Sequence, residues 1–397
     1  MPMNTEQDYD DNDDLGVDAT IADSDNFEAV IDPKNWRTPA DYYRQMPLET
    51  RKAVSAVVMD DERLRNELRN IYLPELLQSG RIVVWERAMP EYIEAIQRKM
   101  LYTGRVVAAD GTLAKYASLS FVGAQIAVSK VSYRGDTGQF VYDMKHWGKE
   151  LPRKTTATDI AEALRSRKSV VHDRLPNIYL YALMTYKERE ILLDSPPGTF
   201  KLIQGSVFPH EMLTGAGRSR VMTTSLKLIE RLIDDGAYAS IVSSSSDVEL
   251  LDVGMALNAG EYLVAETGVE VLEDFRSKAH YSSQAIPEYG NRSQIEIFKD
   301  FLERYGQKVV KGVLRAHRMS RPYVFFCNAD RVGEAVHTLL ADAANTGARG
   351  FPLLLDMADQ HCSGAFKASE YTGRLNSEFT RASGGSIMYQ SERSSRD

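Results

Sequence analysis

Apolar and polar positions alternate most clearly over residues 105–133, in RVVAADGTLAKYASLSFVGAQIAVSKVSY. Such alternation, mixed with continuously apolar stretches, is typical of buried or half-buried β-strands. The next segment, YRGDTGQFVYDM, joins turn residues to a second apolar stretch, which predicts a hairpin and its return strand. Shorter strands are predicted at TFKLIQGS, AYASIVSSSS and RPYVFFCN.

Helical spacing of apolar residues separates these strands. It predicts helices in MPEYIEAIQRKMLYTG, TATDIAEALRSRK, LPNIYLYALMTYKEREILLDSPPG, SLKLIERLIDDG and VGEAVHTLLADAANTG, and at about residues 293–305 and 352–366. Before residue 80 the pattern is also helical, in two pieces punctuated by Pro47 and Pro74. Interleaved strands and helices predict an α/β fold, a mixed β-sheet flanked by helices, with a helical N-terminal region.

The charge distribution changes this picture at the N-terminus. The net charge is −8, and no Lys or Arg precedes Lys34, whereas carboxylates are frequent there. This composition predicts a disordered acidic tail over residues 1–33, although such a tail can also mimic DNA and occupy a basic groove. We expect the helical region at 34–104, the sheet domain at 105–380 and a frayed C-terminal tail at 381–397.

Composition also excludes some classes of protein. The two cysteines, Cys327 and Cys362, are too far apart in sequence for a disulfide framework and lack paired histidines for a zinc site. No apolar run is long enough for a membrane span, and the acidic N-terminus is unlike a signal peptide. We therefore expect a cytoplasmic protein with no membrane partner.

Three short segments carry candidate chemistry. Asp110 follows the apolar residues of the first strand and precedes a glycine, which suits a carboxylate exposed to a metal or phosphate at a strand end; Asp-Gly is equally a strong turn signal. YKEREILLD offers Glu188, Glu190 and Asp194, of which the last two share a helix face, although charged faces are usually only solvated. Gln204 ends the strand KLIQ, where a third carboxylate would complete a site for Mg²⁺ or Mn²⁺.

Together these segments resemble the NurA nuclease family, which has a ribonuclease H-like fold, over about residues 105–374. The matching residues are AADGT at the first strand, a helix glutamate best matched by Glu190, QGS at the later strand, and GARGFPLLLDMADQHCSGAF near the end. The chain departs from the family pattern at Gln204, where Asp is usual, and at Ala358-Asp359, where Ala-His is usual. YASIVSSSSD lacks the lysine that the family often has.

The resemblance implies a manganese-dependent nuclease that acts on DNA ends, forms a homodimer and docks on a hexameric HerA-type DNA-translocating ATPase, in end processing or anti-phage defence. It makes Asp110 and Glu190 the catalytic residues and the ligands of Mn²⁺ or Mg²⁺. Surrogate or supporting groups would be Gln204, Glu188, His210, Glu211, Asp359 and His361.

Basic residues are the candidates for contacts with the DNA backbone. They lie in RSRK, as Arg165, Arg167 and Lys168, and in the glycine-rich segment LTGAGRSRVMTT, as Arg218 and Arg220. Arginines on a mobile loop suit phosphate contacts, although a merely solvated loop is equally compatible with this composition. The segment is not a Walker loop, because the Gly-Lys-Ser/Thr ending is absent.

Three functions remain open from the sequence. The first is an active metal-dependent nuclease that works with a motor ATPase. The second is a catalytically degenerate NurA-like subunit that caps and regulates the ATPase ring without cutting, which Gln204, Asp359 and the missing lysine favour. The third is a toxin-like or ligand-sensing protein that shares only the fold.

Overall fold

The computed structural model describes residues 38–117, 121–135, 139–148, 174–279 and 291–383, with the isolated positions 34, 156, 158, 281 and 283. The chain divides into two compact units, Met1–Arg65 and Asn66–Asp397. The described part of the first unit is mainly a long helix, α1, Pro39–Glu67, whose last two residues belong to the second unit.

The described residues of the second unit form one sheet of nine strands, in the order β1-β7-β8-β9-β6-β5-β2-β3-β4. The strands are β1 Val84–Arg87, β2 Val106–Ala117, β3 Phe121–Val131, β4 Gln139–Gly148, β5 Phe200–Gln204, β6 Tyr238–Val242, β7 Glu261–Thr267, β8 Val309–Arg315 and β9 Tyr323–Asn328.

The part of the sheet from its centre to the β4 edge combines antiparallel and parallel pairing. Strands β2, β3 and β4 form an antiparallel meander, and β5 and β6 then continue the sheet parallel to β2. The sheet is therefore mixed, with a three-stranded antiparallel meander continued by two parallel strands. The α/β fold class predicted from the sequence is confirmed. Strands β9, β8, β7 and β1 extend the sheet on the other side by antiparallel pairing.

Helices cover both faces of the sheet. They are α2 Leu73–Gln78, α3 Pro90–Ile96, α4 Arg174–Leu193, α5 His210–Leu213, α6 Ser219–Asp235, α7 Val248–Met255, α8 Gly268–Lys278, α9 Gln294–Tyr305, α10 Val332–Ala343, α11 Leu353–Ala365 and α12 Ala368–Ser383. Two of them begin at capping boxes, α8 at Thr267 and α9 at Ser293, which satisfy the free N–H groups of their first turns.

Successive residues of β2 enter different cores. Val107 and Ala109 pack in one apolar cluster with residues of α4, α6 and α9. Val106 and Ala108 pack in another with residues of α10 and α11. Because side chains alternate along a strand, every second residue of β2 faces α4 and the others face α11. This alternation decides where Asp110 and Gly111 point.

Helix α11 is held at its first turn by a carboxylate from α10. Asp342 Oδ2 accepts the backbone N–H of Leu354 at 2.9 Å, and Asp342 Oδ1 accepts the hydroxyl of Tyr133 at 2.5 Å. Burial raises the pKa of Asp342 to about 6, against the lowering effect of these two hydrogen bonds. The contacts join α10, α11 and the end of β3, so α11 keeps a fixed register over the sheet.

The structure differs from the sequence predictions in several elements. Pro47 lies inside α1 and does not divide it. Strand β1 pairs with β7, and α3 lies beside α10, so residues 66–104 are part of the sheet unit although the sequence suggested a separate helical region there. Strands β1, β7 and β8 and helices α5, α7, α8 and α12 were not predicted.

Other expectations fall outside the described residues or agree with them. The acidic tail, the segment after residue 383 and, apart from positions 156 and 158, the predicted helix TATDIAEALRSRK lie outside the described residues. The hairpin between β3 and β4 is present, and both cysteines are free and buried. Among the helices described, none has the length and apolar character needed to cross a bilayer.

Candidate active site

Strand β2 extends beyond the end of its parallel neighbour, β5, at the centre of the sheet. It pairs with β5 only from Val106 to Ala109, whereas β3 accompanies it from Ala108 to Ala117. Beyond Ala109 no described strand pairs with the β5 side of β2, and we call this gap in the pairing the notch. The Asp-Gly pair predicted at a strand end lies inside the continuing strand, beside the notch, and forms no turn.

Gly111 lets helix α4 approach β2 closely. A Cβ atom built on Gly111 would lie 2.6 Å from the Met184 side chain and 2.7 Å from Glu188 Oε1. These distances are shorter than real Cβ contacts, so only glycine permits this approach. The carboxylate of Glu188 thus reaches the backbone of β2 at the notch.

Asp110 lies on the opposite face of β2 and is 8% exposed. Its Oδ1 accepts the backbone N–H of Gly111 at 2.9 Å. Burial, followed by the negative charge of Glu188, raises the pKa of Asp110 to about 7; Asp359 adds to the rise and the Gly111 N–H opposes it. The negative charge of Glu188, on the other face of β2, therefore acts on Asp110.

Glu188 is buried together with the next residue, Arg189. Burial raises the pKa of Glu188, the charge of Glu211 adds to the rise, and the neighbouring guanidinium opposes it. Arg189 Nη1 lies 3.2 Å from Glu188 Oε2 and donates to the carbonyl oxygen of Thr185, while Nη2 donates to that of Ser206. The guanidinium therefore ties α4 to the segment that follows β5.

Sequence reasoning missed Arg189. Among the described residues its Nε has no hydrogen-bond partner, and its side chain is only 1% exposed. The available signal was its spacing: Thr185, Arg189 and Leu192 recur at core-facing positions of one helix, and all three are buried. An arginine on an apolar helix face indicates a buried ion pair.

Glu190, the helix acid best matched to the family, lies elsewhere. Two residues along a helix correspond to a rotation of about 200°, so Glu190 points away from Glu188. It forms an ion pair with Lys187 and is 31% exposed. The structure thus brings Glu188, rather than Glu190, beside Asp110.

Of the candidate residues at the end of β5 and after it, some lie near Glu188 and others point away from it. Gln204 is partly buried at the end of β5, and Gly205 follows it with a φ of +83°. Glu211 accepts a hydrogen bond from Thr185 Oγ1 at 3.0 Å, and its charge raises the pKa of Glu188. His210 is exposed and meets the Phe275 ring edge to face, 5.5 Å between centroids, so it turns toward α8.

Helix α11 covers the face of β2 to which Asp110 points. Ser129, the cross-strand neighbour of Asp110, donates from Oγ to the carbonyl oxygen of Ala358 at 2.7 Å. The next residue, Asp359, is exposed, and its charge contributes to the raised pKa of Asp110. His361 stacks on Phe140, 4.7 Å between ring centroids, and so lies toward β4.

The predicted DNA-contacting residues have different outcomes. Arg165, Arg167 and Lys168 lie outside the described residues. Arg218 lies over the Tyr179 ring of α4 at 4.7 Å, and Arg220 is exposed in the first turn of α6. The glycine-rich segment before them is a tight turn packed on α6, since a Cβ on Gly215 would lie 2.3 Å from the backbone nitrogen of Met222.

The donor set at the notch can be compared with what a metal needs. In the described part of the chain, no group of three or more His, Cys, Asp or Glu side chains is placed to hold a metal ion. Mg²⁺ is, however, commonly bound by one or two carboxylates, with waters and substrate phosphates as its other ligands. Asp110 and Glu188 supply two such carboxylates, so the chemistry fits a hard cation such as Mn²⁺ or Mg²⁺.

Comparisons with known proteins found similar solved structures but no matching sequence. No family model matches the chain, and no curated protein matches it. The crystal structure of the NurA nuclease from Sulfolobus solfataricus is similar with a TM-score of 0.43 and 12% identity, covering 84% of this chain and 97% of that chain. The structure of NurA bound to dAMP and manganese has a TM-score of 0.44 and 9% identity, covering 83% and 95%.

A further structure, NurA with manganese, has a TM-score of 0.38 and 8% identity, covering 74% of this chain and 95% of that chain. With TM-scores below 0.5 and identities of 12% or less, these likenesses carry no argument about the residues or the function of this chain.

Proposed function

We propose that the chain is a NurA-like nuclease that hydrolyses DNA phosphodiester bonds with Mn²⁺ or Mg²⁺ bound at the notch. The observation that carries the proposal is the meeting of two buried carboxylates, Asp110 and Glu188, on either side of Gly111 where β2 leaves β5. Asp110 and Glu188 would hold the cation, and Asp359 would be an outer partner. When bound, a divalent cation polarises the phosphate and lowers the pKa of an attacking water.

The protein residues prepare this site in three ways. The Gly111 N–H orients the Asp110 carboxylate, and Arg189 orients that of Glu188. Glu211 adds negative charge beside Glu188. Burial and crowding raise the pKa of both carboxylates, so the site favours a neutralising cation over two bare charges.

The family resemblance extends the proposal beyond the site. The nuclease would act as a homodimer in the cytoplasm, together with a HerA-type hexameric ATPase, in DNA end processing or anti-phage defence. Arg218 and Arg220 would contact the DNA backbone. Glu190, paired with Lys187, becomes a surface residue in this proposal.

A second candidate function rests on a different observation. Arg189 already neutralises Glu188, and the place of a third carboxylate is taken by Gln204. A site arranged in this way could hold a phosphate without cutting it. The chain would then be a catalytically degenerate subunit that regulates the ATPase ring.

The deciding experiment is cleavage of linear single- and double-stranded DNA with Mn²⁺, Mg²⁺ or EDTA, with and without the cognate ATPase. Wild type, Asp110→Ala and Glu188→Gln are compared with Glu190→Gln, a matched control one helix position removed from Arg189. Metal-dependent cutting that is lost in the first two variants and kept in Glu190→Gln supports the nuclease. No cutting under any condition, with ATPase turnover still altered by the protein, supports the degenerate subunit.

A further inference from the structure

An aromatic patch lies on the same face of the sheet as Asp110. In the strand register, Asp110 of β2 is opposite Ser129 of β3, and Ser129 is opposite Phe140 of β4. Residues opposite each other share a face, and neighbouring strands are about 4.8 Å apart. Phe140 is therefore about 10 Å from Asp110 across the sheet, and Tyr142 follows it on the same face.

Helix α11 and the residue after it complete this patch. The ring of His361 stacks on that of Phe140 at 4.7 Å, and Phe366 lies 5.6 Å from Phe140 and 5.5 Å from Tyr142. We call these four rings the β4 aromatic patch. Its outer ring, Tyr142, is 61% exposed, and Phe140 is 37% exposed.

A groove beside the patch carries positive charge. It is lined by Tyr142, Met144 and Phe366 and by the charged residues Lys367, Glu370 and Arg374. Glu370 is already paired with Arg374 at 2.5 Å. Lys367 directly follows Phe366 and is exposed. Because Glu370 and Arg374 neutralise each other, Lys367 gives the lining of the groove a net positive charge.

We propose that the β4 aromatic patch is a stacking platform for the bases of single-stranded DNA, with Lys367 at the phosphate backbone. Proteins that bind single strands without sequence preference combine aromatic rings, on which bases stack, with a basic groove along the backbone. The bases of a duplex are stacked on each other and cannot reach such rings. The inference rests on the proposed action on DNA and names single strands as the form held beside the notch.

The platform also fits the position of the notch. Phe140, Ser129 and Asp110 lie in one row across three strands, and Asp359 and His361 are two residues apart on the helix above that row. A strand whose bases stack on Phe140 and Tyr142 would have its next phosphates in the direction of Asp110. Among the described strands β4 lies at the edge of the sheet, and an edge strand can instead pair with a second copy of the chain, which is the competing explanation.

Binding is measured by fluorescence anisotropy of labelled oligothymidylate and of a hairpin duplex, in EDTA so that no cutting occurs. We expect Tyr142→Ala to weaken oligothymidylate binding about 5- to 150-fold, the loss that follows from removing one stacked base. Tyr142→Trp should keep the affinity. Tyr181→Ala is the matched control, because Tyr181 is a similarly exposed tyrosine, at 48%, on α4 across the sheet.

The role of Lys367 is tested through salt. Lys367→Gln should reduce the slope of log affinity against log salt concentration by about 0.7, the value for one phosphate contact on a single strand. Equal affinity of Tyr142→Ala and wild type, or an unchanged salt slope in Lys367→Gln, would overturn the platform. So would a change in the sedimentation of Tyr142→Ala without DNA, which would assign the patch to self-association.

These outcomes are separable from the fate of the proposed nuclease. If the chain binds single strands through Tyr142 but never cuts, the platform stands and the nuclease does not. If it cuts with Mn²⁺ and Tyr142→Ala binds and cuts like wild type, the reverse holds.

Discussion

Two buried carboxylates of this sheet, Glu261 and Asp110, have surroundings that shift their pKa values in opposite directions. Glu261, at the start of β7, receives two hydrogen bonds from Arg69, at 2.6 and 2.9 Å, and one from the Asn258 N–H at 2.8 Å. Although burial opposes it, these bonds lower its pKa to about 2. Asp110 accepts one backbone N–H among other carboxylates, and burial with the charge of Glu188 raises its pKa to about 7.

The difference separates an acid that stabilises the fold from the acid that we propose to act in cleavage. Glu261 is stabilised in its charged form and joins the segment before β1 to β7. The favourable interactions of its charge therefore contribute to the stability of the fold. Asp110 is destabilised in its charged form, so it gains most from a further positive partner. Strongly perturbed acids of the second kind concentrate at functional sites.

The largest expected effect is at Arg189. Arg189→Met removes the partner of Glu188 and leaves an uncompensated buried charge, which should cost about 3–5 kcal/mol of unfolding free energy. Urea denaturation measures the loss, and the double variant Glu188→Gln/Arg189→Met should recover most of it. Lys187→Met, in the partly exposed pair with Glu190, is the control and should change stability by about 0.5 kcal/mol or less. Equal losses at the two pairs would contradict the assignment.

The next effect concerns activity without a loss of stability. Asp110→Asn keeps the shape of the side chain and removes its charge, so we expect cleavage to fall about 10²- to 10³-fold. The midpoint of unfolding should not decrease, because a crowded buried carboxylate has been replaced by a neutral amide. Cleavage rates and urea midpoints from one preparation test both halves. Unchanged cleavage would remove Asp110 from the site.

Glu261→Gln should show the opposite pattern. We expect unimpaired cleavage at low temperature and a loss of about 3 kcal/mol of unfolding free energy at pH 7, from the lowered pKa of Glu261. Because the folded-state pKa lies below the ordinary value of 4.5, this stabilisation is present above about pH 4.5 and is lost as the pH falls toward 2. The difference in stability between wild type and variant, followed from pH 7 to pH 3, should therefore shrink. A constant difference would mean that the carboxylate charge is not the source.

The smallest effect comes from the spacing between β2 and α4. Gly111→Ala places a methyl group against Met184 and Glu188 and should cost about 1–3 kcal/mol through overpacking. We also expect weaker metal-dependent cleavage, because Glu188 must move. Gly364→Ala is the control, since nothing lies within 4 Å of a Cβ built there. Equal stability of the two variants would show that α4 can move away from β2 without a loss of unfolding free energy.

The sequence predicted the parts of the fold that depend on local pattern. Strands β2, β3, β5, β6 and β9 alternate or are continuously apolar, and the hairpin after β3 has strong turn residues. Strands β7 and β8 were missed because charged residues interrupt them; Glu266 and Lys311 belong to an ion cluster with Asp247 that only the folded sheet brings together. Strand β1 was missed because only four residues form it.

At the site, the sequence located Asp110 and the acidic helix but not the correct orientation of the helix. Spacing shows which acids share a face, and it cannot show which face meets the sheet. That choice depends on Gly111, which admits Glu188, and on Arg189, which bonds to Ser206 seventeen residues away. Both are contacts between segments that approach each other only after folding.

The position of Gln204 has a consequence for how the site can evolve. It lies at the end of β5, the strand whose ending opens the notch beside Asp110. Glutamine and glutamate codons differ by a single base, so the gene is one substitution away from a third carboxylate at this strand end. Loss and recovery of the proposed cutting would therefore require no change of fold, only a point mutation at this position.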